Sequence, residues 1–364
     1  MKILTVIGAR PQFIKAAAVS RKLREHHTEI LVHTGQHYDK NMSDVFFDEL
    51  SIPHPEYNLG VGSGTHAEQT ASMLVGIEKL LLSEKPDYLM TYGDTNSTLA
   101  GALAASKLHI PVVHVEAGLR SYNMLMPEEQ NRVLCDHISS LLFCPTQTAI
   151  DNLKKESVTK GVYNVGDVMC DAVLYYSKGM DTTDVSAHFS ALKGLFGEIK
   201  IPDEWYMATV HRAENTEGEE KVAGILSAFE EFDAPVIFPV HPRTKPTVAL
   251  LNERNKYKNI IFVEPVGYLD MLFFTKNAKK VVTDSGGLQK EAYILETPCV
   301  TVRPQTEWVE TLGGNRNILA KPTKESILAA VFDTEVSPEV KELYGDGRAA
   351  DKIIEILDKQ RDVK

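Results

Sequence analysis

The stretch Val281-Val282-Thr283-Asp284-Ser285-Gly286-Gly287-Leu288-Gln289-Lys290-Glu291 reads as a short buried strand, a turn of small residues and the opening of a helix. The same succession recurs in both directions along the chain: a short β-branched run, a polar or glycine-containing turn, then a longer amphipathic stretch. This is the signature of repeated βα units. Ile3–Ile7, Ile30–His33, Tyr88–Tyr92, Val112–Val115 and Leu141–Phe143 form a first set of predicted strands. Tyr206–Val210, Val236–Val240, Ile260–Val263, Lys280–Thr283 and Val300–Val302 form a second. Their apolar character is continuous, as in parallel strands covered by helices on both faces. The pattern therefore predicts an α/β protein with two parallel sheets. Thr182–Asp203, polar, with Gly194 and Gly197 and no predicted strand, is read as the passage between the halves. After Asp346 and Gly347, the amphipathic run Ala349–Asp358 predicts a terminal helix that needs a packing surface.

With 364 residues the chain is long enough for two domains, each with its own core. A composition of 43% hydrophobic, 24% charged and 8% aromatic residues excludes disorder, collagen-like repeats and a long coiled coil. The net charge of −11 denies the chain the broad positive field that non-specific nucleic-acid binding needs, while leaving room for a local basic pocket. Cys135, Cys144, Cys170 and Cys299 form no Cys-x-x-Cys pair, so neither a zinc site nor a disulfide framework is expected. The apolar run Ile3–Ile7 is too short for a signal-peptide core, and no continuous apolar stretch reaches membrane-spanning length. A cytoplasmic protein without membrane contact is expected.

In open parallel sheets ligands bind beyond the carboxyl ends of the strands, so the residues that follow each strand carry the functional information. In the first half these are Gly8, Arg10 and Lys15, then Thr34 to His37, then Gly93, Asp94 and Thr95, then Glu116, Gly118 and Arg120. In the second half they are His211, Arg212 and Glu214, then His241 and Arg243, then Asp284 to Gly287. Any one of them alone is an ordinary solvated or capping side chain; Asp94 and Asp284 would then simply cap the helices that follow. Their repetition at nearly every strand end points instead to a ligand. Ser285-Gly286-Gly287 leaves free amides at a helix amino terminus, a natural seat for phosphate, and Glu291 lies one turn on, within reach of ribose hydroxyls. A P-loop, a dinucleotide G-x-G-x-x-G turn, H-E-x-x-H and G-x-S-x-G are all absent. Asp94, Glu116 and Glu128 supply carboxylates from three places, and His211, His241 and Arg243 supply basic groups. That set suits proton transfer beside a phosphorylated leaving group.

These motifs together resemble the non-hydrolysing UDP-N-acetylglucosamine 2-epimerases. The resemblance rests on Gly8-Ala9-Arg10-Pro11-Gln12 with Lys15, Thr34-Gly35-Gln36-His37, Gly93-Asp94-Thr95, His114-Val115-Glu116-Ala117-Gly118-Leu119-Arg120 and Pro127-Glu128-Glu129 in the first half. His211-Arg212, Pro239-Val240-His241-Pro242 and Thr283-Asp284-Ser285-Gly286-Gly287 carry it in the second. It implies two Rossmann-like domains facing across a cleft, similar to GT-B glycosyltransferases. These would be residues 1–175 and a UDP-binding domain of residues 176–347, with residues 348–364 packing back on the first. It further implies C2 epimerisation through a 2-acetamidoglucal by loss and re-addition of UDP, with no nicotinamide and no metal. Asp94, Glu116 and Glu128 would be the acid/base carboxylates, and His211 would assist departure of UDP. Arg10 and Lys15 would hold the diphosphate, Ser285, Gly286 and Gly287 would bind it through backbone amides, and Glu291 would take the ribose. His241 would belong to the same binding site, and Met271 stands where many members place a phenylalanine beside uracil. A UDP-sugar would be the small-molecule partner, a homodimer the usual assembly, and cell-surface polysaccharide synthesis the usual use.

Three departures mark this chain. Met271 replaces ring stacking with thioether packing, and Trp308 in Thr306-Glu307-Trp308 stands where many members have arginine. The runs around Asp94, Glu128 and Trp308 look closer to a subgroup acting on UDP-2,3-diacetamido-2,3-dideoxy-glucuronate. Gln36-His37-Tyr38-Asp39 lacks the second glutamine with which regulated members bind an activating sugar nucleotide, so substrate activation is expected to be weak or absent. A GT-B glycosyltransferase would share the Ser-Gly-Gly turn, but Glu291 is followed by Glu296 at five residues rather than eight. A hydrolysing epimerase would release free UDP, and a UDP-sugar sensor would bind without exchange at C2.

Overall fold

The computed structural model describes residues 1–36, 47, 49–180, 185–339 and 342–361. The activation stretch of His37, Tyr38 and Asp39 lies outside the described residues. The chain divides into two compact units, Met1–Ala172 with Glu342–Lys364, and Val173–Lys341.

The first unit holds a seven-stranded sheet. Its strands are β1 (Lys2–Ile7), β2 (Thr28–His33), β3 (Tyr57–Asn58), β4 (Tyr88–Tyr92), β5 (Val112–Val115), β6 (Leu141–Cys144) and β7 (Val162–Asn164). They lie in the order β3-β2-β1-β4-β5-β6-β7 and all pair in parallel, Leu4 of β1 standing between Ile30 and Leu89. The second unit repeats the plan with β8 (Tyr206–Thr209), β9 (Val236–Pro239), β10 (Ile260–Val263), β11 (Val281–Thr283), β12 (Cys299–Thr301) and β13 (Asn317–Leu319), in the order β10-β9-β8-β11-β12-β13. Both are doubly wound Rossmann-like sheets, with the order reversing between β1 and β4 and between β8 and β11. β1, β4, β5 and β6 are buried almost throughout, which is why the sequence shows them as unbroken apolar runs. The edge strands β3, β7 and β13 were not expected from the sequence. Each is two or three residues long and includes an asparagine, too little for a propensity signal.

The polar stretch Thr182–Asp203 is not a passage between units. Its described part belongs to the second unit, which begins at Val173, inside the helix Val168–Tyr176. A helix, Val185–Ala191, lies within it, and Phe189 is buried edge-on against Trp205 and Phe274. Leu195 N–H then donates to Phe262 O at 2.9 Å, fastening the segment along β10. Three scattered apolar anchors, Phe189, Leu192 and Leu195, outweigh a polar average.

The terminal helix spans Ala349–Arg361 and buries Ala349, Ala350, Ile353, Ile354 and Leu357. It packs on the helix Arg10–His26, and the buried Asp171 carboxylate accepts from Ala349 N–H at 3.0 Å and Ala350 N–H at 2.7 Å, satisfying amides that a helix amino terminus leaves free.

Candidate active site

In the first unit the switch point lies where β1 meets β4. The turn Gly8-Ala9 leads into the helix Arg10–His26, and its missing cap is replaced by a side chain from inside the helix. Gln12, almost fully buried, accepts from Gly8 N–H at 2.8 Å and Ala9 N–H at 3.1 Å. Its amide nitrogen donates to Tyr92 O at 2.8 Å and to Thr98 Oγ1 at 3.0 Å. One glutamine thus ties the end of β1 to the end of β4.

Asp94 follows β4 but does not cap the next helix, Asn96–Lys107; Thr95 does. Arg132 grips Asp94 Oδ2 instead, from Nη2 at 2.7 Å and Nε at 2.9 Å, and Asn131 Nδ2 donates to Asp94 O at 2.8 Å. The other arm of Arg132 donates to Glu129 Oε2 at 2.7 Å. Glu129, 1% exposed in its side chain, also accepts from Ser121 N–H at 2.9 Å and Tyr122 N–H at 2.8 Å. Burial pushes the Glu129 carboxyl up, but those two amides and Arg132 together hold it below the usual carboxylate range. Glu128, its neighbour, is exposed on the first turn of the helix Pro127–Ile138.

Lys15, buried, forms an ion pair with Glu116, the residue after β5. Gly93 passes beside this pair with φ +62°; a Cβ there would stand 3.2 Å from Glu116 Oε2 and 3.3 Å from Lys15 Nζ. Lys15, Asp94 and Glu128 line a cavity of about 280 Å³ whose remaining wall is rich in hydrogen-bonding groups: Gln12, Gln36, Gln69, Asn96, Asn131 and His66. Asn96 Nδ2 bonds His66 Nδ1 at 3.0 Å and Gln69 Oε1 at 3.2 Å, and Gln36 Oε1 accepts from Ser97 Oγ at 2.7 Å. Glu116 stands behind Lys15 rather than on the wall, and Arg10, at the first helical position, does not line the cavity.

The second unit builds its own cluster where β8 meets β11. Asp284, fully buried, does not cap a helix either; Ser285 caps the helix Gly286–Ile294 by accepting from Leu288 N–H. Asp284 instead accepts from His211 N–H at 3.0 Å, Arg212 N–H at 2.9 Å and Asn215 Nδ2 at 3.1 Å. The His211 and His241 rings stand 5.5 Å apart, and Arg243 Nη1 donates to His211 O at 2.9 Å. Burial, then the charges of His211 and Arg243, lower the His241 imidazole below the ordinary histidine value, so a neutral ring faces neutral pH.

The two glycines beyond Ser285 differ. A Cβ on Gly286 would strike the Glu307 carboxylate, which Arg303 holds from Nη1 at 2.7 Å, whereas a Cβ on Gly287 meets only Ser285 Oγ at 3.9 Å. Glu291 is buried one turn along the same helix. Met271, half-buried on the helix Tyr268–Lys276, packs on the cluster around Phe273 and Val263. Trp308 lies under the buried Lys290, whose Nζ is 4.2 Å from the ring centroid, a cation–π contact.

Of the sequence candidates, Lys15, Asp94, Glu116 and Glu128 are therefore gathered at one switch point, with Arg10 nearby in sequence but off the wall. His211, His241, Ser285, Gly286, Gly287 and Glu291 belong to the other unit, with Met271 on a separate helix. Among the described residues no three His, Cys, Asp or Glu side chains group as a metal site, and no helix is long and apolar enough to cross a membrane. A family model described as UDP-N-acetylglucosamine 2-epimerase matches residues 21–358.

The chain belongs to this epimerase family. It is 51% identical over 362 residues to a UDP-N-acetylglucosamine 2-epimerase homolog of Methanococcus maripaludis, covering 98% of this chain and 99% of that protein. It is 46% identical over 370 residues to the UDP-2,3-diacetamido-2,3-dideoxy-D-glucuronate 2-epimerase of Pseudomonas aeruginosa, covering 99% and 100%. The crystal structure of Methanocaldococcus jannaschii UDP-GlcNAc 2-epimerase in complex with UDP-GlcNAc and UDP superposes with a TM-score of 0.86 at 44% identity, covering 99% of this chain and all of that one.

For this epimerase the sequence reading missed Asn131 and Arg132, which hold Asp94, Glu129, which shares Arg132 with it, and His66 and Gln69 on the cavity wall. The signal for the first three was present in the run Met126-Pro127-Glu128-Glu129-Gln130-Asn131-Arg132, where positions three and four apart share a helix face. No local pattern announces His66.

Proposed function

We propose that the protein inverts C2 of a UDP-activated 2-acetamido sugar, converting UDP-N-acetylglucosamine to UDP-N-acetylmannosamine. The observation that carries this reading is the first-unit cavity, where two carboxylates, Asp94 and Glu128, share a wall with Lys15 and the buried Glu116 stands behind it. A carboxylate takes the C2 proton; the C2–H electrons form the C1–C2 double bond, and the C1–O bond breaks with its electrons leaving on UDP. UDP then adds back at C1 while C2 receives a proton on the opposite face. Two carboxylates in different settings suit this exchange, because one must hold a proton when the other takes one. Asp94, Glu116 and Glu128 are assigned to proton transfer, and Arg10 and Lys15 to the diphosphate.

The other UDP contacts are assigned to the second unit: Ser285, Gly286 and Gly287 at the helix amino terminus take phosphate, Glu291 takes ribose, and Met271 takes uracil. His211 assists departure of UDP, with the neutral His241 beside it. The full-length similarity to family members supports these assignments. A homodimer working in the cytoplasm completes the reading, and light scattering on the purified chain tests the assembly.

The same reaction on UDP-2,3-diacetamido-2,3-dideoxy-glucuronate is a second reading, favoured by the amide-rich cavity wall, which offers donors and acceptors for a second acetamido group. An NMR time course in deuterated water decides between them. The manno epimer of UDP-N-acetylglucosamine carrying deuterium at C2, without lasting free UDP, supports the first reading. Turnover of the diacetamido uronate alone supports the second, accumulating UDP would indicate hydrolysis or transfer, and binding without exchange would indicate a sensor.

A further inference from the structure

β5 buries His114 completely, and both of its ring nitrogens are engaged. Nδ1 lies 2.7 Å from Asp136 Oδ1 and Nε2 lies 2.7 Å from the carbonyl oxygen of Gly93. A carbonyl oxygen only accepts, so Nε2 carries a proton. Asp136 Oδ2 accepts from Gly118 N–H at 3.1 Å and from the Arg120 guanidinium at 2.7 Å. Against burial, His114 and Arg120 hold the carboxyl below its ordinary range, so Oδ1, which faces Nδ1, accepts. Nδ1 therefore donates as well, and a ring that donates from both nitrogens is a cation. The electrostatics agree: burial pulls the imidazole down, yet Asp136, the Gly93 carbonyl and Glu116 outweigh it and hold His114 above the ordinary histidine range.

The groups around this cation are closed upon one another. Arg120 bonds Asp136 and, on its far side, Glu156 at 2.7 and 2.8 Å. Glu116 pairs with Lys15, and Cys135 is kept as a neutral thiol by burial and by the charges of Asp136 and Asp94. The carbonyl that His114 grips belongs to the residue before Asp94. Gly93 also donates its own N–H to Val115 O at 3.0 Å, and Asp94 O accepts from Asn131. The backbone that carries Asp94 is thus pinned on both sides.

We propose that His114 is a positioning residue protonated at neutral pH, an imidazolium that fixes the Gly93–Asp94 turn from behind and supplies positive charge beside Glu116. The significance of the turn rests on the function proposed above; the charge state does not. In protein labelled with ¹⁵N-histidine, both His114 nitrogens are expected to show protonated shifts at pH 7, where an ordinary histidine is mostly neutral. A single protonated nitrogen at pH 7 overturns the inference, whether or not any sugar nucleotide is turned over.

Asp136→Asn separates charge from geometry. The asparagine amide donates to Nδ1, the Gly93 bond stays, and the ring becomes neutral. With the ¹⁵N shifts confirming discharge, kcat is expected to fall at least about tenfold. The acidic limb of the kcat–pH profile is expected to move up by about one unit, with KM for the UDP-sugar and UDP affinity unchanged. A discharged ring with wild-type kcat and profile, or an effect confined to KM, overturns the positioning role.

Discussion

Replacing Arg132 by methionine removes one guanidinium from two carboxylates at once. Asp94, 28% exposed, can turn back toward water when its partner goes, so little of that contact is lost as stability. Glu129 cannot: it is 1% exposed, and without Arg132 it keeps the Ser121 and Tyr122 amides and the Ser121 hydroxyl but loses the guanidinium that balances its charge. Leaving a buried charge unpaired costs about 3–5 kcal/mol, and the remaining neutral donors place Glu129 at the lower end, about 3 kcal/mol. For a unit of this size that corresponds to a fall in Tm of roughly 6–12 °C. The assay is a double-mutant cycle by urea unfolding with Arg132→Met, Glu129→Gln and the pair. Because most of the loss comes from the orphaned charge, the pair should lose less than the sum of the singles by at least about 1.5 kcal/mol. Additivity within about 0.5 kcal/mol would refute the reasoning. Arg132→Lys should not rescue kcat, since an ammonium cannot bridge both carboxylates in this geometry.

Asp94→Asn should abolish most turnover while UDP still binds, and near-normal kcat removes Asp94 from the proton-transfer set. Gly287→Ala, whose Cβ meets only Ser285 Oγ at 3.9 Å, should leave Tm within about 1 °C yet weaken UDP binding about tenfold or more by calorimetry, because the proposed phosphate seat lies at those amides; unchanged affinity relocates the diphosphate. Gly286→Ala should instead lower Tm, since its methyl strikes the Glu307 carboxylate, and an unaltered Tm counts against that packing. His241 has a lowered folded-state value, so its contribution to stability is present above the ordinary 6.5 and is lost as pH falls through the lowered value. His241→Gln should flatten that acid-side loss in pH-dependent unfolding, and UDP should raise the wild-type titration midpoint seen by ring C–H NMR.

Much of the fold was legible because its strands are buried on both faces. Tyr88–Tyr92, Val112–Val115 and Ile260–Val263 match the apolar runs residue for residue. What was not legible depends on contacts made at a distance. β7 and β13 exist because a neighbouring strand end offers a ladder, not because Val162–Asn164 or Asn317–Leu319 favour extended structure strongly. The polar composition of Thr182–Asp203 concealed Phe189, whose weight comes from Trp205 and Phe274, 16 and 85 residues further along. The candidate site divides in the same way. Lys15, Asp94 and Glu128 could be named because they follow strands or open helices, while Arg132 and His114 matter only through the atoms they meet.

The two switch points also solve one problem in opposite ways. Where strand order reverses, the turns after the two central strands diverge, and their freed amides have no ladder partner. In the first unit the tie comes from the β1 side: Gln12, neutral, accepts two amides of its own turn and donates across to Tyr92 and Thr98 at the β4 end. In the second it comes from the β11 side: Asp284, charged, accepts two amides and an asparagine from the β8 turn. A glutamine is needed where donors and acceptors face the same side chain, and a carboxylate where every facing group donates. Both are buried with their polar atoms engaged within the protein, so Gln12, although on the cavity wall, serves the turn. Their placement fixes the backbone beneath Asp94 and His211, the residues on those turns proposed for chemistry. Asp284 Oδ1 also lies 3.4 Å from Nδ1 of the His211 ring, so it sets the ring as well as the chain beneath it.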